Sequence, residues 1–350
     1  MTSQSTPSEP ATEAGTTIAA KPHSGPETVH GAVTAADETI RVGISSCLLG
    51  AKVRFDGGHK HDTYITGTLG QFFEFVPICP EMAVGLGAPR EPIRLVGDPE
   101  HPRAVGIRTA NLDATDRLAA YGHRMGRKLA GISGYILKRA SPSCGMERVK
   151  VYNDKGVAVP KGAGIYAAAF MDEQPLLPVE EEGRLGDPLL RENFIERVFV
   201  YHRWQRLLAS GVAASKLVAF HTDHKLLVMA HSQAAYQRLG RLVAQAGSKP
   251  IAALADAYVA ELMAALRRRV SRGRHANILL HLSGYLKRAL DGGDKAELVA
   301  TIDAYRRGLV PLVVPITLLK HHFRRHPHPY VERQCYLSPH PQELMLRNTV

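Results

Sequence analysis

The chain has few cysteines, few aromatics and no long apolar run, and each shortage excludes something. Four cysteines in 350 residues, at 47, 79, 144 and 335, are too sparse for a disulfide framework of the kind that holds small secreted domains together. The first three are separated by 32 and 65 residues, so there is no C-x-x-C pair and no compact zinc spacing. No unbroken apolar stretch approaches the roughly 20 residues of a membrane span. The only tryptophan, Trp204 in "YHRWQRLL", reads most simply as a core anchor. The N-terminus lacks a basic segment followed by an apolar one, so it is not read as a secretory leader, and the cytoplasm is the expected compartment. In that compartment sparse cysteines point to metal or catalysis rather than to cross-links.

What is present is the composition of a soluble globular protein, 45% apolar and 22% charged, and long enough for two domains. Residues 1–38 are rich in Ser, Thr, Pro, Ala and Gly and cannot bury enough apolar surface to offset ordering, so a disordered tail is expected. From 39 to 177 the pattern is α/β. "TIRVGISSCLLG", "FFEFVPICPEM" and "ISGYILKRASPSCG" are apolar strands that each break into a turn. "LDATDRLAAYGHRMGRKLAG" is an amphipathic helix with Asp113 and Asp116 near its start. Strand, loop, helix and strand in succession imply a Rossmann-like N-terminal domain with a parallel sheet. The acidic, Gly- and Pro-bearing stretch 178–190 reads as a linker. Residues 191–350 carry helical periodicity with little alternation, which predicts an all-α C-terminal domain.

In open α/β sheets the site lies beyond the carboxyl ends of the strands. Cys47, Cys79 and Cys144 each fall just past such an end, which would bring the three thiols together. Glu81 follows Cys79 in "CPE", and Ser141 and Ser143 precede Cys144 in "SPSC". From the residues alone three readings stand: a metal site, a lone cysteine nucleophile, or small buried thiols. No His–Cys pair stands out to support the nucleophile.

"SSCLLGAKVRFDGGHK", "VPICPEMAVGLGAPREPIRL", "LKRASPSCG" and "KGAGIYAAAF", four motifs across roughly residues 40 to 175, closely resemble the thiouracil desulfidase family. The resemblance implies a 4Fe-4S cluster held by Cys47, Cys79 and Cys144, with one iron open. It implies a catalytic glutamate at Glu81 and a catalytic serine at Ser141. Ser143 is the fallback for that serine and, with Arg54, is expected at the substrate. The stretches "FHTDHKLLVMAHS", "NILLHLSGYLKRAL", "GLVPLVVPITLLKHH" and "QCYLSPHPQELMLRN" resemble a second, YbgA-like helical family. Fusions of the two look like tRNA 4-thiouridine desulfidases, which makes tRNA the expected partner.

Charge is uneven. Residues 178–350 carry 25 Lys and Arg against 15 acids, and 11 of the 17 histidines. A basic half favours a polyanion. Arg267, Arg268, Arg269, Arg272, Arg274, Lys287 and Arg288 form its densest run and are the expected RNA contacts, a solvated helix face being the plain alternative. His221, His224 and His231 have helical spacing, but no cysteine or clustered carboxylate completes a metal set around them. The expectation is therefore desulfuration of 4-thiouridine in tRNA. The alternatives are a desulfidase of free thiouracil and a non-catalytic, metal-sensing RNA-binding protein.

Overall fold

The N-terminal half is ordered by two four-stranded sheets. The computed structural model describes residues 39–109 and 111–349, so the expected N-terminal tail lies outside the described residues. In chain order the elements are β1 (Ile40–Ser45), α1 (Thr63–Gly67), β2 (Phe73–Ile78), α2 (Pro80–Ala83), β3 (Ile93–Gly97), β4 (Pro102–Gly106), α3 (Thr115–Lys128), β5 (Gly134–Leu137), β6 (Val149–Tyr152), β7 (Ala158–Gly162), α4 (Ile165–Glu173) and β8 (Val179–Glu181). The first sheet has the order β2-β1-β5-β8 and is parallel throughout. The central strands β1 and β5 are buried at nearly every position, as expected of a parallel sheet covered on both faces. Ile136 turns to one side with Val42 and Ile44, while Tyr135 and Leu137 turn to the other, against Tyr166 and Phe170 of α4. The expected α/β class and all-helical second half are both present.

The second sheet, β4-β3-β6-β7, was not legible as a separate unit. It joins two hairpins through the parallel β3–β6 pair and sets Leu95 and Val151 against Leu118 of α3.

The helical half contains α5 (Pro188–Ala209), α6 (Ala214–His231), α7 (Gln233–Val243), α8 (Ile251–Leu266), α9 (Arg272–Gly284), α10 (Gly292–Arg307) and α11 (Val313–Arg325). None is long and apolar enough to cross a membrane. The segment expected to be a linker, 178–190, is instead structured. Val179–Glu181 is the edge strand β8, and Asp187 caps α5 by accepting from the backbone N–H groups of Leu189 and Leu190 at 2.8 and 3.1 Å, with Pro188 at the first helical position. The acidic run is drawn inward by hydrogen bonds rather than left in solvent. Phe194, Ile195 and Val198 of α5, with Leu344 and Leu346 from the far end of the chain, complete the core over β1. The two halves therefore share one packing unit.

Candidate active site

The chain order places β1 at the point where the order of strand addition reverses, with β2 to one side and β5 to the other. The loops after these three strands open a crevice at the carboxyl edge. Cys47 lies in a 3-10 turn (Ser46–Leu49) after β1, closed by Gly50 at φ 93°. Such a positive φ is cheap only for glycine. Cys79 precedes α2 after β2, and Cys144 ends the loop after β5. All three line one cavity of about 190 Å³, together with Glu81, Ser141, Arg54, Lys138 and Arg90.

The Cys144 loop is held by its own hydroxyls and by a glycine. Ser141 Oγ accepts from the Cys144 and Ser143 amides at 3.1 and 3.3 Å. Ala140, just before it, has the left-handed φ of 56°, uncommon for a residue with a side chain. Gly164 of "KGAG" backs directly onto the loop, its N–H donating to Gly145 O at 2.8 Å. A Cβ there would lie 2.5 Å from the Ser143 carbonyl. The glutamates once read as a linker fasten the same loop from the other side. Glu181 accepts from Met146 N at 2.9 Å, and Glu182 accepts from Arg139 N at 2.6 Å and pairs with Lys138.

Glu81 is oriented by two partners. Arg90 donates to Glu81 Oε2 from Nε at 2.8 Å and also from Nη2, and its Nη1 reaches the carbonyls of Val53 and Gly87 at 2.9 and 2.5 Å. Ser143 Oγ donates to Glu81 Oε1. Ser143 is fully buried and lies behind the glutamate, not on the cavity wall, which departs from its expected place at the substrate. The reason is local: the turn that sends Cys144 to the cavity sends Ser143 inward. Ser141, half-buried, lines the cavity and lies 3.0 Å from Ser143 Oγ. Arg54 also lines it, held beside Asp56 at 3.4 Å. Arg90 was missed in the sequence, although it stands inside the quoted "GAPREPIRL". An arginine has no spacing signature, and only the fold aims it at Glu81.

Burial pushes the Cys47 thiol up to about 11, with Cys79 adding to the rise and Lys138 and Arg54 opposing it. Cys79 and Cys144 are shifted the same way, again first by burial. Such thiols become thiolates when cations bind them. Among the described residues no three His, Cys, Asp or Glu gather tightly enough for a single metal ion. Three soft sulfurs ranged around a cavity instead fit a multinuclear iron–sulfur group with one position free of protein ligand.

Fold and site define a thiol-centred α/β enzyme domain built onto a helical one. Residues 42–182 match the model described as 2-thiouracil desulfurase, and the chain belongs to that family. This makes its N-terminal half a desulfidase domain. Residues 225–341 match a protein family of unknown function, DUF1722. The uncharacterized protein YbgA of Escherichia coli (strain K12) is 30% identical over 154 residues, spanning 44% of this chain and 91% of the relative. The uncharacterized protein YbbK of Bacillus subtilis (strain 168) is 30% identical over 155 residues, 42% of this chain and 98% of the relative. A solved structure of the [4Fe-4S]-dependent thiouracil desulfidase TudS has 32% identity over 43% of this chain and 94% of that one, with a TM-score of 0.33.

The basic run of the helical half is not gathered into one patch. Arg267 donates to Pro175 O at 2.6 Å, in the α4–β8 loop at the edge of the sheet opposite the cavity. Arg274 donates to His231 O at 2.7 Å. Arg268, Arg269 and Arg272 are exposed near the start of α9, whereas Lys287 and Arg288 follow its far end, about 20 Å away at 1.5 Å per residue. The histidines serve packing. His221 Nδ1 lies 3.2 Å from Tyr258 OH, His224 Nδ1 lies 2.8 Å from Phe220 O, and His231 stands between Arg268 O and Glu196.

Proposed function

We propose that this protein removes the sulfur of 4-thiouridine in tRNA, giving uridine and sulfide, with a 4Fe-4S cluster held by Cys47, Cys79 and Cys144. The observation that carries this is one cavity at the carboxyl edge of the sheet, lined by all three thiols together with Glu81 and Ser141. The cavity, of about 190 Å³, is the space in which the three thiols would hold the cluster, and Glu81 and Ser141 on the same wall would face a base brought up to it. A cluster with one open iron supplies a thiophilic Lewis acid for the C4 sulfur.

The remaining chemistry belongs to the side chains. Glu81, aimed by Arg90 and Ser143, accepts a proton from the water that adds to C4. The Ser141 hydroxyl orients the pyrimidine by a hydrogen bond, and the second proton of the added water leaves with the sulfur. The C4–S bond breaks, sulfur leaves as hydrosulfide, and the water oxygen stays as the new carbonyl. The substrate undergoes no net redox change, so no nicotinamide or flavin enters. Lys138 and Arg54 on the wall favour the departing anion. Extrusion of the nucleotide brings the base to the cavity. The exposed cations Arg268, Arg269, Arg272, Lys287 and Arg288 hold more distant phosphates of the tRNA.

The test is anaerobic reconstitution with iron and sulfide, then incubation with thiolated tRNA, following the 4-thiouridine absorbance and released sulfide. Cys144→Ala should lose the cluster spectrum and turnover, and Glu81→Gln turnover alone. A Cys144→Ala protein that retains both refutes the reading. The same assay on free 4-thiouracil addresses the second reading, a desulfidase of the free base.

A further inference from the structure

A second cavity, of about 730 Å³, shares Ile93, Arg139, Ala140 and Pro142 with the first and opens onto β3 and β6. Its wall carries Arg94, Arg139, Arg148, Lys150 and Tyr152. All four cations are exposed, and among the described residues none forms an ion pair. Only Arg184, deeper in the wall, is neutralised, by Glu147 and Glu180.

The arrangement costs stability. Leu95 pairs with Val151 and Val96 with Tyr152 across the parallel β3–β6 ladder, which sets Arg94 beside Lys150 on the outer face. Strands are about 4.8 Å apart, and like charges that close on one face repel. Burial explains the inward residues of these strands, Leu95, Val149 and Val151, but not the outward ones. The Arg94 guanidinium lies over the Tyr152 ring, 5.4 Å from its centroid, forming a flat cationic and aromatic surface.

We infer that this face binds the nucleic acid strand flanking the target base, with Arg94, Arg139, Arg148 and Lys150 holding phosphates and the Arg94–Tyr152 surface stacking a neighbouring base. Two features select a polynucleotide. Unpaired cations beside an aromatic face are what single-stranded nucleic acid requires. The face also shares the wall formed by Ile93, Arg139, Ala140 and Pro142 with the thiol-lined cavity, so a strand lying on it runs up to the site where its base would react. This rests on the desulfidase reading for the chemistry of the target base only. It puts the contacts nearest the chemistry on the α/β half, not on the helical arginines.

The test is binding of a labelled single-stranded oligoribonucleotide containing one 4-thiouridine, read by fluorescence anisotropy across a salt series on the full chain without cluster. Each phosphate contact contributes about 0.7 to the slope of log K against log salt for single strands. Arg94→Ala/Lys150→Ala should therefore lower the slope by about 1.4. Tyr152→Leu should weaken binding by roughly 5- to 160-fold with the slope retained, as expected for one stacked base. With cluster, the ratio of kcat/KM on the oligonucleotide to that on free 4-thiouracil should fall in both variants. An unchanged slope and affinity overturns the assignment, as does equal competition by an acidic peptide. A wild-type protein that binds the strand yet releases no sulfide fails the catalytic reading and leaves the binding result standing.

Discussion

Replacing Gly164 by alanine isolates the contact that fixes the cysteine loop. Gly164 has φ −65° and ψ 139°, a conformation open to any residue, so the substitution carries no backbone strain. In open space it would stabilise by about 0.4–1 kcal/mol through the unfolded chain. Here the new Cβ would lie 2.5 Å from the carbonyl carbon and oxygen of Ser143 and 2.8 Å from Cys144 N, against the 3.4 Å at which ordinary contact begins. These are backbone atoms and cannot swing aside. The Ser143–Cys144 peptide must therefore retreat by roughly 0.9 Å, or α4 must shift away from it. Overpacking of this kind costs about 1–3 kcal/mol. The displaced peptide carries the thiol of Cys144 and the hydroxyl that orients Glu81, and a misplacement near 1 Å costs on the order of 100-fold in rate. Urea unfolding of the full chain without cluster reads the first effect, and anaerobic turnover of thiolated substrate reads the second. Gly240→Ala in α7, where nothing lies within 4 Å, is the matched control and should stabilise by up to about 1 kcal/mol. A Gly164→Ala protein that matches the control in both measurements refutes the assigned role of the contact.

Arg90→Leu should destabilise by up to about 3 kcal/mol, because it leaves the largely enclosed carboxylate of Glu81 without its cation. Arg90→Lys should recover only part of that, since one ammonium cannot reach Glu81, Val53 O and Gly87 O together; wild-type urea midpoints in both variants would contradict this. Acid should loosen the helical half through Glu196. Burial alone would raise its pKa, but His231 and Arg347 outweigh burial and hold it at about 2, below the ordinary 4.5. The unfolded chain then binds the proton first, so this contribution is complete above about pH 4.5 and is lost as pH falls towards 2. Its size is on the order of 3 kcal/mol. Urea midpoints followed into the acid range should show the fall, and Glu196→Gln should flatten it; equal pH slopes in the two proteins would be the contrary result.

The catalytic edge was legible because it is built from strand ends. An apolar run that breaks into "SSC", "ICPE" or "SPSCG" states both the strand and the side of the sheet on which the thiol emerges. The second sheet was hidden for the opposite reason. Its strands are four or five residues long and alternate over too few positions to stand apart from turns, so "IRLVG" and "VKVY" carry no clear strand signal. The same shortness concealed the cationic face, since Arg94 and Lys150 are 56 positions apart and become neighbours only through the β3–β6 register. The acidic stretch misled through composition. Three consecutive glutamates suggest solvent, whereas Glu180, Glu181 and Glu182 satisfy Arg184, the Met146 amide and Lys138. The signal that could have corrected this was "GDPLL", an aspartate cap followed by proline at a helix start.

The shared core also determines how the roles of the two halves can be separated. α5 covers one face of the parallel sheet, and Leu344 and Leu346 reach back from the end of the chain to join it. Between them Arg347, buried, pairs with Glu192 at 2.9 Å and Glu196 at 3.4 Å and donates to Tyr336 O at 2.8 Å, fastening the chain end to the first turns of α5. Removing the helical half would uncover Val42, Ile44 and Ile136. Burying an aliphatic side chain of that size contributes about 1.5–3 kcal/mol, so a truncated protein would lose activity through its fold whatever the helices do with RNA. Point substitutions in the intact chain separate the roles. Exchanging Arg268, Arg269 and Arg272 for alanine removes exposed charge at the helical end, and Arg94→Ala/Lys150→Ala removes it beside the cavity. If both sets lower the salt slope on whole tRNA and only the sheet set lowers it on the short oligonucleotide, the helices hold the body of the molecule and the second sheet holds the strand beside the target base. If only the sheet variants move either readout, the helical half acts on the α/β domain as a scaffold.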